Sequence, residues 1–229
     1  MADQRVVLVH GLHLNAQGWE MVAWGDIPNN LWGTIPTGIK AAHFFNANKV
    51  IWGSGASQKG DKTEAEEMFS TAVSRSGKIA KQLGEDEVHL KDFLRERSIL
   101  DEKSQNTQEE IEHALDYCQK IGAKTLVLVP AAGQASIAIK RILSLVLQNT
   151  RYSNFRHSVL IFPSDVMYEG ISIDDVVIFM PPHRGDRLNN DSHVCARETL
   201  ELLQRYSVAG DRESLDRLVE DWFEMLKKV

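Results

Sequence analysis

Four short stretches hold most of the side chains in this 229-residue chain that could act on a small molecule. They are His10-Gly11, Gly53-Ser54-Gly55, Asp101-Glu102-Lys103-Ser104-Gln105-Asn106-Thr107 and Pro130-Ala131-Ala132-Gly133-Gln134, and they share small residues, hydroxyls, amides and carboxylates. Glycines let a ligand approach the backbone. A helix that starts just after such a loop offers free amides at the positive end of its dipole, a cradle for phosphate or carboxylate. The expected ligand-binding residues are therefore His10, Gly11, Gly53, Ser54, Gly55, Ser104, Asn106, Thr107 and Gln134. If chemistry occurs, Asp101 or Glu102 is the acidic group, as general base or as ligand to a hard metal.

A fifth segment, Pro181-Pro182-His183-Arg184-Gly185-Asp186-Arg187, follows an apolar run and brings His183 and Arg184 as candidate anion ligands, with Arg187 beside them. The Arg-Gly-Asp tripeptide inside it is too short to imply adhesion. Val7-Leu8-Val9-His10-Gly11 followed by Trp19 looks like the first strand and oxyanion loop of an α/β-hydrolase. That chemistry needs Gly-x-Ser-x-Gly on a strand-to-helix elbow, and neither Gly53-Ser54-Gly55-Ala56-Ser57 nor Ala132-Gly133-Gln134-Ala135-Ser136 supplies it. His10 then reads as a loop hydrogen-bonder.

These residues need elements to hold them. Short, continuous apolar runs rich in β-branched residues lie over 5–9, 49–53, 124–129, 158–162 and 175–179, and read as strands buried on both faces. Thr63 with Glu66 has the spacing of a capping box, which predicts a helix from Thr63 towards Leu83. Thr107 with Glu110 repeats it, with the stripe Ile111, Leu115 and Cys118 running to Gly122. On that reading Thr107 and Glu110 are explained by capping alone. From about Val194 to Val229 the pattern suggests two amphipathic helices. Strands alternating with helices imply right-handed crossovers and a mostly parallel sheet covered on both sides, a Rossmann-like three-layer α/β/α fold. One domain over 1–229 is expected, with 156–229 completing it. The long connection over 12–36 carries Trp19, Trp24 and Trp32, and is read as a lid over a ligand in preference to an inserted helix.

Composition narrows the function further. A formal net charge of −6 leaves no excess of Lys and Arg for a phosphate backbone, so no nucleic-acid partner is expected. Two cysteines, Cys118 and Cys195, in separate predicted helices, suggest neither a disulfide framework nor a zinc site. The apolar run at 6–9 is too short for a signal peptide or membrane span, and a cytoplasmic location is expected.

Taken in order, the stretches resemble the YdcF-like family, a domain of unknown function shared with the SanA and ElyC envelope proteins. The likeness covers about 5–142. The family's Glu-x-x-Ser-x-Asn-Thr-x-Glu-Asn segment is matched by Asp101, Ser104, Asn106, Thr107 and Glu109, with Glu110 in place of the last asparagine. Its Ser-Glu-Ala is similar to Thr63-Glu64-Ala65, which adds Glu64 to the candidate ligand-binding residues, although a glutamate so early in a helix can simply oppose the dipole. The family's Ser-Gly-Gly is permuted into Gly53-Ser54-Gly55, its Gly-Gly is His10-Gly11, and its histidine and arginine after the later strand are Gln134 and Ile137. The resemblance implies a Rossmann-like fold with a polar pocket. The leading expectation is a protein that binds a small anionic or nucleotide-like ligand at the C-terminal ends of its strands. Nucleotide, S-adenosylmethionine and a divalent metal are the cofactors left open. The competing expectations are a transferase or hydrolase acting on a phosphorylated or nucleotide-activated substrate, and a catalytically inactive interaction protein.

Overall fold

A run of four apolar residues can bury both faces only inside a sheet that is covered on both sides, and the strands lie in such a sheet. The computed structural model describes residues 4–16, 18–155 and 158–166 and the backbone of 177–180 and 192–195. β1 (Arg5–Val9), β2 (Lys49–Gly53), β3 (Ser98–Asp101), β4 (Thr125–Val129) and β5 (Val159–Ile161) form one parallel sheet. Its order is β3-β2-β1-β4-β5. In mid-sheet, Val7 stands opposite Val50 on one side and Val127 on the other.

Alternate residues of each strand feed two cores. Val7, Val9 and Trp52 pack with Ile35 and Ile39 of α2 (Thr34–Phe44), Met68 of α3 (Glu64–Ser74), Ile79 of α4 (Ser76–Leu83) and Leu90 and Leu94 of α5 (Glu87–Arg97). Val6, Leu8 and Ile51 pack with Ile111 and Leu115 of α6 (Thr107–Ile121) and Ile142 of α7 (Ala135–Gln148). The result is the Rossmann-like, three-layer α/β/α arrangement expected from the sequence. From β1 the chain steps outward through β2 and β3, then returns to the other side of β1 for β4 and β5. The strand order therefore reverses at the β1/β4 boundary, and in such sheets the crevice outside the C-terminal ends of those two strands is where ligands bind.

Helix starts follow local chemistry, with one correction. α3 opens on the expected capping box: the Thr63 side chain accepts from Glu66 N, and the Glu66 carboxylate accepts from Thr63 N. The helix expected to run on to Leu83 breaks at Arg75 into α3 and α4. α6 is capped not by Thr107 but by Asn106, whose extended backbone lets Oδ1 accept from Glu109 N at 3.0 Å while Nδ2 donates to Glu109 Oε1 at 2.8 Å. Thr107 is the first helical residue. Asn106→Ala should therefore lower unfolding stability by about 1 kcal/mol, with Thr107→Ala close to neutral in the same denaturant titration. The reverse ranking would restore Thr107 as the cap.

The connection over 12–36 is core, not a lid. It contains α1 (Trp19–Ala23) and a short antiparallel pairing of Gly25-Asp26 with Leu31-Trp32. Trp24 and Trp32 are 5% and 4% exposed and belong to the same core as Val7 and Val9. Lys40 and Arg75 lie over the Trp32 and Trp24 rings. Leu14 N donates to Ser57 Oγ, and Trp32 exchanges two hydrogen bonds with Asp165 beyond β5, so the segment is tied to the loops on both sides of it.

The chain divides into two compact units, 1–167 and 168–229. In the second, β6 (Val177–Met180) pairs antiparallel with β7 (Ser192–Cys195) in a two-stranded sheet of its own. The strand expected over 175–179 is thus not part of the parallel sheet, and Cys195, expected in a helix, lies in a strand. The helices expected over 196–229 lie outside the described residues. Among the described residues no helix is long and apolar enough to cross a membrane.

Candidate functional site at the sheet edge

Two glutamates meet at the C-terminal edge of the sheet from opposite faces. Glu64 is the first residue of α3, and both of its oxygens are held by serines from the loop after β2: Ser54 Oγ donates to Oε2 at 2.5 Å and Ser57 Oγ to Oε1 at 2.6 Å. Glu110, in the first turn of α6, receives His10 Nδ1 on Oε2 at 2.5 Å and Gly11 N on Oε1 at 2.9 Å. Both carboxylates are buried. Among the described residues neither is ion-paired with Lys or Arg. Burial pushes the Glu64 carboxyl above its ordinary range, and the nearby charge of Glu110 adds to the rise against the opposing Ser54 and Ser57 bonds.

Glycine is required where these carboxylates pass. A Cβ on Gly11 would run into Glu64 Oε2 and Ser54 N, and one on Gly53 would stand 2.5 Å from Glu110 Oε1. A Cβ on Gly55 would collide with the Glu102 carbonyl, whose loop is joined to this one by Gly55 N donating to Ser104 O. The close approach these glycines permit is that of protein groups.

The raised Glu64 makes a pH prediction. A carboxyl whose folded pKa lies above its unfolded value contributes stability that is fully present below the unfolded value and is lost as pH rises through the folded one. Glu64→Gln removes that dependence. The stability of the wild-type chain relative to Glu64→Gln should therefore increase as pH falls from neutrality towards the ordinary glutamate range. Parallel stability curves for the two proteins would contradict the assignment.

The remaining expected residues divide. His10 and Gly11 continue β1, with His10 N donating to Val129 O across the β1/β4 boundary, and they join Ser54, Glu64 and Glu110 in one cluster. Asp101 is occupied locally: Oδ1 accepts from Lys103 N and Ser104 N, and the carboxylate pairs with His113 at 3.0 Å. Glu102 is exposed, with Thr63 Oγ1 at 3.5 Å. Neither carboxylate expected to be catalytic is bonded into the His10 cluster. Asn106 and Thr107 form the start of α6, and Gln134 closes the turn before α7. His183 and Arg184 lie outside the described residues. Among the described residues no three His, Cys, Asp or Glu side chains gather as a metal ion would need.

Three buried side-chain polar atoms lack a hydrogen-bond partner among the described residues: His10 Nε2, Ser104 Oγ and Ser136 Oγ. Their residues are at most 3% exposed. All three follow C-terminal strand ends, those of β1, β3 and β4. Such orphans are rare because each costs about 1–3 kcal/mol, and their occurrence at one edge marks it as a polar site among the described residues. Sequence reasoning missed Glu110, Ser57 and Ser136. One signal was present for Glu110: it heads the buried stripe Ala114 and Cys118 by one helical turn, an unusual place for an acid on an inward face.

The fold and this edge define a doubly wound α/β protein with a polar site at its topological switch point. Comparisons with protein-family models, with curated proteins and with solved structures give no match.

Proposed function

We propose that the chain is a YdcF-like, Rossmann-type protein that binds a small nucleotide-like molecule in the crevice outside the C-terminal ends of β1 and β4. The observation that carries this reading is that two orphan atoms, His10 Nε2 and Ser136 Oγ, follow the two strands that flank this crevice, with the third, Ser104 Oγ, after β3 at the same end of the sheet. A ligand with several donors and acceptors, such as a nucleotide lying along the strand ends, offers partners to such atoms. The YdcF-like resemblance accords with this. Glu64, aligned with that family's Ser-Glu-Ala, lies in the buried cluster, and the segment aligned with its Ser-x-Asn-Thr-x-Glu includes Ser104 and the Asn106–Glu109 cap.

A thermal-shift screen of nucleotides, S-adenosylmethionine, sugar phosphates and divalent metals tests it. A ligand at 100 times its dissociation constant adds about 2.7 kcal/mol of stability. In the double variant Ser104→Ala with Ser136→Ala the free protein should be no less stable than wild type, because two unsatisfied hydroxyls are gone, while the ligand-induced shift should fall. A double variant that binds every hit as wild type does would contradict the proposal.

A further inference from the structure

We infer that His10 is a general base acting on a hydroxyl group of the bound molecule, or on a water beside it, with Glu110 as its positioning residue. The inference rests on the binding reading above and adds chemistry to it. Glu110 divides its two oxygens between two donors. Oε1 takes Gly11 N–H at 2.9 Å, and Oε2 lies 2.5 Å from His10 Nδ1. With Oε2 as acceptor the contact selects the tautomer that carries its proton on Nδ1, in which Nε2 presents a bare lone pair. That nitrogen is buried, has no partner among the described residues, and lies at the β1/β4 switch point. A carboxylate that fixes the tautomer of an imidazole and stabilises the imidazolium is the arrangement by which histidine takes a proton from a hydroxyl.

The step balances without a further reactant. The proton passes from the hydroxyl oxygen to Nε2, the ring becomes an imidazolium paired with Glu110, and the electron pair of the broken O–H bond stays on the oxygen as a nucleophile. The step is the proton transfer alone, and its reversal returns the proton from Nε2 to that oxygen. The titratable groups around His10 also favour a hydroxylic partner at this atom over a phosphate. Glu110 and Glu64 both reach this edge from opposite faces, and among the described residues neither is ion-paired with Lys or Arg.

Glu110→Gln separates this role from a structural one. Gly11 N–H must keep the carbonyl oxygen of the new amide, which turns the NH2 group towards Nδ1. Nδ1 then has to accept, and the proton moves to Nε2. Ring-15N NMR of the histidine-labelled full chain near pH 7.5 should show His10 protonated at Nδ1 and bare at Nε2 in the wild type, with the reverse in Glu110→Gln. A wild-type His10 protonated at Nε2 overturns the inference even if the variant fails to fold. So does a folded variant in which His10 keeps its proton on Nδ1. Because no nucleotide is added, a failed ligand screen with an Nδ1-protonated, Nε2-bare His10 counts against the binding reading alone.

Discussion

Glu110→Ala should lower the unfolding free energy by about 3–5 kcal/mol, the range found when one partner of a buried pair is removed. Three losses act together. The His10 ring loses the acceptor at Nδ1, the Gly11 amide loses its acceptor, and the space beside Gly53 that the carboxylate fills is emptied. Glu109→Ala one residue earlier removes only the exchange with Asn106 and Gln105 at the helix start, so it should cost no more than about 1–2 kcal/mol. Urea titrations of the two variants decide between the readings of this helix start. If Glu110 were one more acid opposing the helix dipole, its removal would cost a few tenths of a kcal/mol to about 1 kcal/mol, and the two variants would be alike.

Trp32→Ala and Trp24→Ala should each cost about 3–5 kcal/mol, the usual loss for a buried aromatic cut to alanine. The rings are almost fully enclosed and pack with Ile35, Ile39 and Val9 in the core on the α2 face. The two hydrogen bonds between Trp32 and Asp165 join this segment to the chain beyond β5, so loosening it also loosens the far side of the sheet. A lid behaves otherwise. Its truncation leaves the unfolding midpoint nearly unchanged and weakens binding. Denaturant midpoints for the two variants therefore separate a fixed wall from a moving cover.

The framework was legible because its signals are local. The apolar runs of β1, β2 and β4, the Thr63–Glu66 capping box and the stop at Gly122 each need only a few neighbouring residues to be read. β3 was implied by the loop after it but has little pattern of its own, since Ser98-Ile99-Leu100-Asp101 is short, polar at both ends and preceded by Arg95-Glu96-Arg97. α5 buries only Leu90 and Leu94, too sparse a stripe to stand out. The partition at the α6 start was misread because Thr107-x-x-Glu110 and Asn106-x-x-Glu109 are the same motif shifted by one residue. Backbone geometry selects the second, and the shift frees Glu110 for His10.

The site was legible in place but not in its parts. Glycine loops at strand ends pointed to the correct edge. The glutamates that fill it are 46 residues apart in sequence (110 − 64) and come from helices on opposite faces. Each reads on its own as a first-turn acid. The strand order β2-β1-β4 sets them together across Gly11 and Gly53, and no local window contains that order. The tryptophans were misplaced for a related reason, since a connection with several aromatic residues buries them against whatever lies beneath it, and the sequence does not show what that is.

A small molecule bound at the edge where His10, Ser104 and Ser136 are left without partners must perturb the residues that line it. Titrating the 15N-labelled full chain with the nucleotide that stabilises it most, and following the backbone amide spectrum, tests this directly. Saturable shifts should centre on Gly11, Ser104 and Ser136, with the far ends of α6 and α7 unmoved. Shifts centred away from that edge, or none at saturating concentrations across the nucleotides and sugar phosphates, would contradict it.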